Sequence, residues 1–452
     1  MSKDKKELKA KAVKLKAKVE VLKARLEAAL APASPAPKAK AANPVSPLAP
    51  AAFPALPVIA GVEFAAAAAG VRYAGRTDVM LVRLAPGTAI AGAFTRSSTR
   101  AACVLDCQAK LTANAEGGAA IIVNSGNANA FTGAGGQASV DAVTGAVAQA
   151  LGVPAQRVFS SSTGVIGEPL PHDRITAAVP ALVAGLDPAG IEAAARAIMT
   201  TDTFAKGAMA EIAGEGGPIR IAGIAKGSGM IAPDMATMLV YIFTDAKISA
   251  ANLQKIVSRQ VDDTFNAITV DSDTSTSDAL IVAATGQGPA AEIKDLRGKV
   301  AKAFEAGLRG VMMDLAHQVV RDGEGATKFV EIRVTGAADA ADAHKVAMAV
   351  ANSPLVKTAI AGEDANWGRV VAAVGKSGAK ADRDRLKIAF GDMVLAENGW
   401  RVPDYDEAAA SAYMKQPELV IGVDLGLGKA AKSVWTCDLT HRYIDINADY
   451  RS

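Results

Sequence analysis

Short apolar runs in the middle of the chain are typical of buried strands. Residues 218–225 are apolar and rich in β-branched side chains, and residues 238–243 form a second apolar run. The loop between them is punctuated by two glycines and a proline. The pattern therefore predicts two strands joined by a loop, with Thr237 where the loop enters the second strand.

Helical and strand-like patterns alternate over much of the remaining chain. The helical patterns cover residues 253–261 and 300–320, and the strand-like patterns cover residues 119–123, 267–271 and 328–334. Alternation of this kind predicts a mixed α/β protein.

Two short polar segments are predicted as loops. Residues 159–164 are small and polar, so this segment can expose backbone N–H groups or the Thr163 hydroxyl, but an ordinary turn with self-satisfied hydroxyls fits the pattern as well. Residues 124–129 contain three asparagines that either line a site or satisfy the backbone of a turn. The second interpretation of these asparagines is favoured.

Thr237 has a distinctive chemical use as well as a plain one. A threonine hydroxyl is a weak nucleophile, but cleavage of the chain before it frees its own α-amino group to act as the general base. From spacing alone, an ordinary β-branched strand residue is the simpler interpretation of Thr237.

Composition narrows the function classes. Half of the 452 residues are hydrophobic, so the chain can bury a sizeable core, and its formal net charge of +3 gives no argument for nucleic-acid binding. Three cysteines do not indicate a disulfide framework, and no uncharged apolar stretch is long enough to span a membrane. The four histidines lack metal-ligand spacing and no nucleotide-binding glycine motif is present, so we expect a cytoplasmic protein without a metal or a bound cofactor.

Residues 1–30 differ from everything that follows. They are Lys-rich, and their apolar residues recur at alternating spacings of four and three, which predicts an amphipathic helix with a short heptad seam. An Ala- and Pro-rich segment, residues 31–57, follows as an expected extended or disordered tether. A solvated basic helix without a partner fits equally well, and a transit peptide stays open although acidic residues disfavour it. A coiled coil would self-associate or bind a partner, and an unchanged oligomer size and set of partners after deletion of residues 1–56 would contradict it.

Five motifs in one order are more specific than any single residue. They are SSSTGVIGEPL at 160–170, AKGSGMIAPDMATML at 225–239, TFNAITVDSDTST at 264–276, GEDANWGR at 362–369 and INADYRS at 446–452. Together they resemble the glutamate N-acetyltransferase/ornithine acetyltransferase family of arginine biosynthesis.

The resemblance implies layered sheets flanked by helices and a chain that cuts itself between Ala236 and Thr237. The acetyltransferase would then consist of an α chain with residues 58–236 and a β chain with residues 237–452. Thr237 would take an acetyl group from N-acetylornithine and pass it to glutamate through an acetyl-threonine ester. Family members commonly assemble two α and two β chains. Monofunctional and bifunctional members share these motifs, and we favour a bifunctional enzyme that also uses acetyl-CoA as a co-substrate.

The resemblance also implies roles for individual residues. Thr163 and Gly164 match the pair that stabilises the oxyanion of the tetrahedral intermediate. The substrate-binding positions of the family match Thr200, Lys226, Thr237, Glu324, Asn447 and Ser452. Ser452 is a mild departure, because the last residue is often threonine in the family, but the hydroxyl is kept.

Three of these residues also have a simpler interpretation. Lys226 suits a substrate carboxylate, but a lysine at a strand end is usually solvated. Glu324 suits a substrate ammonium group, but an acid between two glycines is commonly a solvated turn residue. Thr200 is followed by Thr201, which leaves a one-residue ambiguity.

Two other function classes stay open. A self-processing aminopeptidase or amidase would use a similar N-terminal nucleophile with water as the acceptor, and acetyl transfer to glutamate distinguishes it from the transferase. A non-catalytic scaffold would place the function in residues 1–30 and leave the site vestigial. The joint presence of Thr163, Lys226, Thr237 and Glu324 argues against the scaffold.

Overall fold

A computed structural model describes residue 16 and residues 44–111, 116–232 and 238–448. The expected cleavage site at Ala236 and Thr237, the last residue Ser452, and residues 1–30 apart from Lys16 therefore lie outside the described residues. Residues 44–448 belong to one compact unit.

Strands and helices alternate along this unit, as the mixed α/β pattern predicts. The strands are β1 (Val62–Ala67), β2 (Val79–Leu84), β3 (Ala89–Phe94), β4 (Ala119–Asn127), β5 (Val158–Val165), β6 (Lys206–Gly214), β7 (Gly217–Lys226), β8 (Leu239–Thr244), β9 (Ala279–Ala284), β10 (Phe329–Ala337), β11 (Lys387–Phe390), β12 (Met393–Glu397), β13 (Trp400–Arg401), β14 (Glu418–Asp424) and β15 (Ala430–Cys437). The helices are α1 (Ala102–Lys110), α2 (Gly133–Leu151), α3 (His172–Ala184), α4 (Ile191–Ala197), α5 (Ala250–Gln260), α6 (Lys299–Arg321), α7 (Ala340–Ala351), α8 (Pro354–Ala361), α9 (Trp367–Gly375), α10 (Glu407–Met414) and α11 (His441–Asn447). Within the described ranges, no helix has the length and apolar character that crossing a membrane requires.

The strands form three sheets. The first has the order β1-β2-β4-β5, the second β3-β9-β8-β7-β6, and the third β13-β12-β11-β14-β10-β15. Strands β4 and β5 are parallel, as are β8 and β9, whereas β7 is antiparallel to both β6 and β8.

The first and second sheets pack face to face around a shared apolar core. Side chains from β1, β2 and β4 meet side chains from β7, β8 and β9 in this core. Helices α2 and α3 cover the outer face of the first sheet, and α5 and α6 cover the outer face of the second. This arrangement confirms the expected mixed α/β architecture of layered sheets flanked by helices.

Strand β8 shows why its sequence is a continuous apolar run. Tyr241 and Phe243 point into the core between the two sheets, while Val240 and Ile242 point toward the layer of α6. Because both faces of the strand are covered, every residue of β8 is buried and no polar alternation is needed. The predicted strands at 218–225 and 238–243 are thus confirmed as β7 and β8.

The third sheet brings the C-terminal part of the chain to the first two. Helices α7 to α10 share its apolar core. Strand β10 begins shortly after the loop that carries Glu324, and β15 leads into α11. The start of β10 and the end of β15, which pair as Phe329 with Cys437, therefore both lie next to that loop.

The prediction of a loop at residues 159–164 is wrong, because these residues form most of β5. They pair in parallel with β4, which itself continues past residue 123 to Asn127. Ser162 donates from its hydroxyl to Asn124 Oδ1 at 2.7 Å in this buried pair. Small hydroxyl residues are typical of turns, but here the neighbouring strand supplies the backbone partners.

The predicted strand at residues 267–271 is also absent. In this segment, Ile268 forms a single bridge with Trp435, and the preceding residues form a 3₁₀ turn. The Val270 N–H then donates to the Ile231 carbonyl at 2.9 Å. Residues 268–270 therefore contact β15 at one point and then the loop after β7, so they do not form a strand of any sheet.

Residues 44–57, the end of the expected tether, pack against the body of the protein. The Ser46 N–H donates to Thr203 Oγ1 at 2.9 Å, and the Ser46 hydroxyl donates to the Arg321 carbonyl at 2.6 Å. Phe53 and Leu56 pack on the core between the first two sheets. This part of the segment is therefore packed and is not a free tether.

An aromatic pair joins the first sheet to the second and allows a test of this packing. Phe64 and Phe243 are both buried, with ring centroids 5.1 Å apart in an edge-to-face arrangement. We expect Phe243→Ala to lower the free energy of unfolding by about 3–5 kcal/mol, because it leaves a cavity between the sheets. Phe131→Ala is the control, since Phe131 is 82% exposed and its loss should cost within about 0.5 kcal/mol. Equal losses in denaturant unfolding would show that the pair does not hold the sheets together.

Candidate active site

Residues singled out in the sequence meet around one cavity of about 100 Å³. The predicted site residues that line it are Thr163, Gly164, Thr200, Lys226, Glu324 and Asn447. They come from the end of β5, the segment after α4, the end of β7, the loop after α6, and α11. Convergence of polar groups from such distant segments on one cavity marks it as the candidate active site. The predicted site residues outside the described part of the chain are Ala236, Thr237 and Ser452.

Thr163 and Gly164 lie at the end of β5, where the backbones of two parallel strands come unusually close. Gly164 has φ 132°, and a Cβ at this position would lie 2.3 Å from the carbonyl carbon of Gly126 and 2.6 Å from the nitrogen of Asn127. The pairing of β4 and β5 is also irregular here. A side chain at position 164 is therefore excluded by both backbone conformation and space.

Lys226 brings a positive charge to the cavity. It is the last residue of β7 and is only 3% exposed. Among the described residues its ammonium group makes no hydrogen bond or close ion pair, but its charge interacts with the carboxylates of Asp202, Asp278 and Glu324. Because it is buried, this lysine is not the solvated strand-end residue of the simpler interpretation, and its ammonium group suits an anionic group of a substrate.

Glu324 is likewise buried, at 8% exposure, and is not a solvated turn acid. Its N–H donates to the Ser228 carbonyl at 2.9 Å, and its Oε2 accepts from Asn447 Nδ2 at 2.7 Å. Burial is the main cause that raises the pKa of the Glu324 carboxyl above its ordinary value, although Asn447 and Thr201 oppose the rise. The nearby Asp271 carboxyl raises the pKa further.

Carboxylates hold the loop that leaves β7. The Gly227 N–H donates to Asp202 Oδ1 at 2.7 Å. Farther along the loop, the N–H groups of Met230 and Ile231 donate to the two oxygens of Asp271 at 2.6 and 2.9 Å. The backbone of residues 227–231 is thus fixed at both ends by buried or partly buried acids, a rigid arrangement for a loop beside a site.

Gly229, in the middle of this loop, is required by the Glu324 side chain. A Cβ at position 229 would lie 2.4 Å from both the carboxyl carbon and Oε2 of Glu324. The loop and the carboxylate therefore touch, and a larger residue at 229 would displace Glu324 from the cavity.

Helix α11 closes the cavity from the C-terminal side. Tyr443 donates from its hydroxyl to Asp271 Oδ2 at 3.2 Å, and Asn447 binds Glu324 one helical turn later. Gly325 allows the close approach of this helix, because a Cβ there would lie 2.8 Å from both Arg442 Cβ and the Tyr443 nitrogen. The helix is therefore bound to Asp271, which holds the loop, and to Glu324, which touches the loop.

Both threonines of the ambiguous pair line the cavity. The Thr200 N–H donates to Asp202 Oδ2 at 3.0 Å. The Thr201 hydroxyl lies 2.7 Å from the Ser228 hydroxyl. The structure thus keeps Thr200 at the site but adds Thr201 beside it.

The asparagines of residues 124–129 bond to backbone groups, as the favoured interpretation predicts, but Asn124 and Asn127 do so from strand β4 and not from a turn. Asn124 donates from Nδ2 to the Asn127 carbonyl at 2.9 Å, and Asn127 donates to the Glu168 carbonyl at 3.1 Å. Asn129 donates to the Gly136 carbonyl at 3.0 Å. From this segment, Ala128 lines the cavity.

Several lining residues were not identified from the sequence. Besides Ala128, they include Ile166, Met230, Ser275, Thr276 and Ser277. A signal was available for most of them, since they lie inside or next to the motifs that carry the family resemblance. Their small or flexible side chains have no chemical signature of their own, so a single sequence could not assign them.

The cavity combines one cation, one acid and several hydroxyl groups. Lys226 and Glu324 suit a small substrate that carries both a carboxylate and an ammonium group. In the described ranges, no three His, Cys, Asp or Glu side chains are grouped as a metal ion would need. The arrangement is that of a site that binds and orients a charged small molecule.

Comparison with known proteins identifies the family. The ArgJ family model matches residues 63–452. A protein of Ruegeria pomeroyi named arginine biosynthesis bifunctional protein ArgJ is 66% identical over 395 residues, which cover 87% of this chain and 95% of that protein. A protein of the same name from Gluconobacter oxydans is 55% identical over 394 residues, which cover 87% and 92%. The crystal structure of the protein of that name from Bacillus halodurans is 40% identical, with a TM-score of 0.45, and the match covers 47% of this chain and 98% of that one. This chain belongs to the ArgJ family.

Proposed function

We propose that the protein transfers an acetyl group from N-acetylornithine to glutamate, giving ornithine and N-acetylglutamate. The observation that carries the proposal is the meeting of Lys226, Glu324 and the Thr163–Gly164 pair around one cavity in a chain of the ArgJ family. The first two suit the charged ends of an amino-acid substrate. The pair would supply the donors that the oxyanion of a tetrahedral intermediate needs.

Charge complementarity supports the proposed binding of N-acetylornithine. Its carboxylate would pair with Lys226, a buried lysine that lines the cavity and makes no hydrogen bond among the described groups. Its side-chain ammonium would pair with Glu324, which Asn447 orients through its hydrogen bond. Because both protein groups are buried, each gains more from a charged partner than it would at the surface. Thr200 would contact the substrate beside them.

The proposed nucleophile is Thr237, freed by cleavage of the Ala236–Thr237 bond. The Thr237 hydroxyl would attack the Ala236 carbonyl, the peptide C–N bond would break, and the nitrogen would take a proton and become the free α-amine. Water would then hydrolyse the resulting ester to give an Ala236 carboxylate and restore the hydroxyl. The products are an α chain with residues 58–236 in its acetyltransferase part and a β chain of residues 237–452.

Acetyl transfer would then proceed in two half-reactions. The Thr237 amine takes the hydroxyl proton while the oxygen attacks the acetyl carbonyl of N-acetylornithine. The oxyanion is stabilised at Thr163 and Gly164, the C–N bond breaks, and ornithine leaves with a protonated amine. The glutamate amine next attacks the acetyl-threonine ester, which forms N-acetylglutamate and returns the proton to the Thr237 oxygen.

The proposal extends to the second acetyl donor, the assembly and the location. The relatives are named bifunctional, which supports acetyl-CoA as a second donor through the same ester. We place the enzyme in the cytoplasm, as two α and two β chains, with Ser452 contributing a hydroxyl to the substrate site and with no bound cofactor. A self-processing amidase that hydrolyses the ester is the second candidate, favoured by the same nucleophile.

Cleavage can be tested by denaturing mass spectrometry. We expect the purified protein to give two fragments that divide between Ala236 and Thr237, and Thr237→Ala to stay as one chain, because it lacks the hydroxyl. Thr237→Ala should also lose at least about a thousandfold in acetyl transfer. A wild-type chain that stays uncut on prolonged incubation would exclude the mechanism. Assays with N-acetylornithine or acetyl-CoA as donor, with and without glutamate, separate a transferase from an amidase.

The protonation of Glu324 gives the reaction a specific pH dependence. Its pKa is raised, mainly by burial, so it becomes neutral at a higher pH than an ordinary glutamate. Below this raised pKa, KM for N-acetylornithine should rise about tenfold for each pH unit, because a neutral carboxyl does not pair with the substrate ammonium. Glu324→Gln should have a high KM without this dependence. A wild-type KM that is constant over the same acidic range would contradict the pairing.

A further inference from the structure

A buried lysine between two carboxylates lies beside the cavity without lining it. Lys206 donates from Nζ to Asp202 Oδ1 at 2.7 Å and to Asp322 Oδ2 at 2.6 Å. The side chains of all three are fully excluded from solvent. These residues, the Lys206 triad, therefore cannot touch a substrate in the cavity.

One carboxylate of the triad reaches two cavity segments through their backbones. Asp202 Oδ2 accepts the Thr200 N–H at 3.0 Å, and Asp202 Oδ1 also accepts the Gly227 N–H at 2.7 Å. Thr200 lines the cavity, and Gly227 directly follows Lys226. Asp202 thus holds the segment after α4 against the end of β7.

The other carboxylate reaches the loop that carries Glu324. Asp322 ends α6 and stands two residues before Glu324. Its Oδ2 accepts the Thr203 N–H at 2.9 Å, and its Oδ1 accepts the Thr203 hydroxyl. Asp322 therefore holds the Glu324 loop against residues 200–203. This is the segment to which Asp202 itself belongs.

Charge holds the three residues of the Lys206 triad together. Burial alone would lower the pKa of Lys206, but Asp202 and Asp322 outweigh it and raise the pKa, so the ammonium stays charged. Two buried carboxylates next to each other would repel without this cation. The positions of both carboxylates therefore depend on Lys206. The backbone N–H groups that the carboxylates bind are then held in place through the same lysine.

We infer that Lys206, Asp202 and Asp322 are positioning residues that fix Thr200, Lys226 and Glu324 at the spacing of the substrate. This inference rests on the proposed function, because it assigns Lys226 and Glu324 to the two charged ends of N-acetylornithine. It adds that the spacing between those groups is set by an ion triad which itself never meets the substrate.

Asp322→Asn tests the inference with a small change. The amide keeps the size of the side chain and can still accept from Thr203, but it loses the charge that pairs with Lys206. We expect KM for N-acetylornithine to rise roughly tenfold while kcat changes much less, because Glu324 loses its fixed position and the reacting groups do not. If this variant does not fold, Thr203→Val takes its place, because it removes the hydroxyl that binds Asp322 and keeps all three charges of the triad.

A substrate analogue gives a readout that lower stability alone would not change. N-acetylnorvaline has the carbon chain of N-acetylornithine without the terminal ammonium group. The wild-type enzyme should prefer N-acetylornithine by kcat/KM, because Glu324 binds the ammonium. In Asp322→Asn we expect this preference to fall roughly tenfold, since a displaced carboxylate no longer distinguishes the two compounds.

Arg157→Met is the matched control. Arg157 is also a buried cation, bonded to the Thr88 carbonyl at 2.7 Å, but it precedes β5 at the end opposite Gly164. This variant should lower Tm and leave both KM and the substrate preference unchanged. The inference is overturned if Asp322→Asn, or Thr203→Val in its place, keeps the wild-type KM and preference. A wild-type enzyme that cannot use N-acetylornithine would instead refute the proposed function.

Discussion

The pairing of one buried lysine with two buried acids is the interaction on which the site depends. Lys206 lies where water cannot reach it, so its charge is compensated mainly by Asp202 and Asp322, with the Phe204 carbonyl and ring also in contact. A charge in such a place tolerates little movement, because any separation leaves an ion uncompensated in a medium of low polarity. The segments attached to these acids, which carry the cavity residues Thr200 and Glu324, therefore keep a fixed spacing.

The other parts of the site depend on close backbone contacts that glycine residues allow. Gly164 lets two strand ends meet, and Gly229 lets the loop touch the Glu324 carboxylate. Asp271 binds both this loop and Tyr443, so the C-terminal helix and the end of β7 share one anchor. A site assembled in this way leaves little room for a side chain to move, which suits chemistry that depends on orientation.

The local sequence pattern predicted secondary structure correctly where burial alone determined the residue types. The apolar run of β8 was predicted because a strand covered on both faces is apolar throughout, and β7 was predicted from the apolar residues of its mostly buried length. The pattern failed for β5, because its buried serines are typical of a turn and only the pairing with β4 makes them a strand. It also failed for residues 267–271, which hydrogen-bond to a loop and not to a neighbouring strand of a sheet. Lys226 and Glu324 were identified through motifs that resemble a family, and burial then favoured their use over solvated surface roles.

The sequence by itself determined the family, the α/β class, and the residue types available for chemistry, because these depend on composition, periodicity and motifs in order. Only the tertiary structure decided that Lys206 is a buried ion between Asp202 and Asp322, since nothing in its local sequence distinguishes it from a surface lysine. The physical reason is that Asp202 is four positions away from Lys206, but Asp322 is 116 positions away and only the packed fold brings it to the lysine. Such contacts exist only after the sheets and helices have packed.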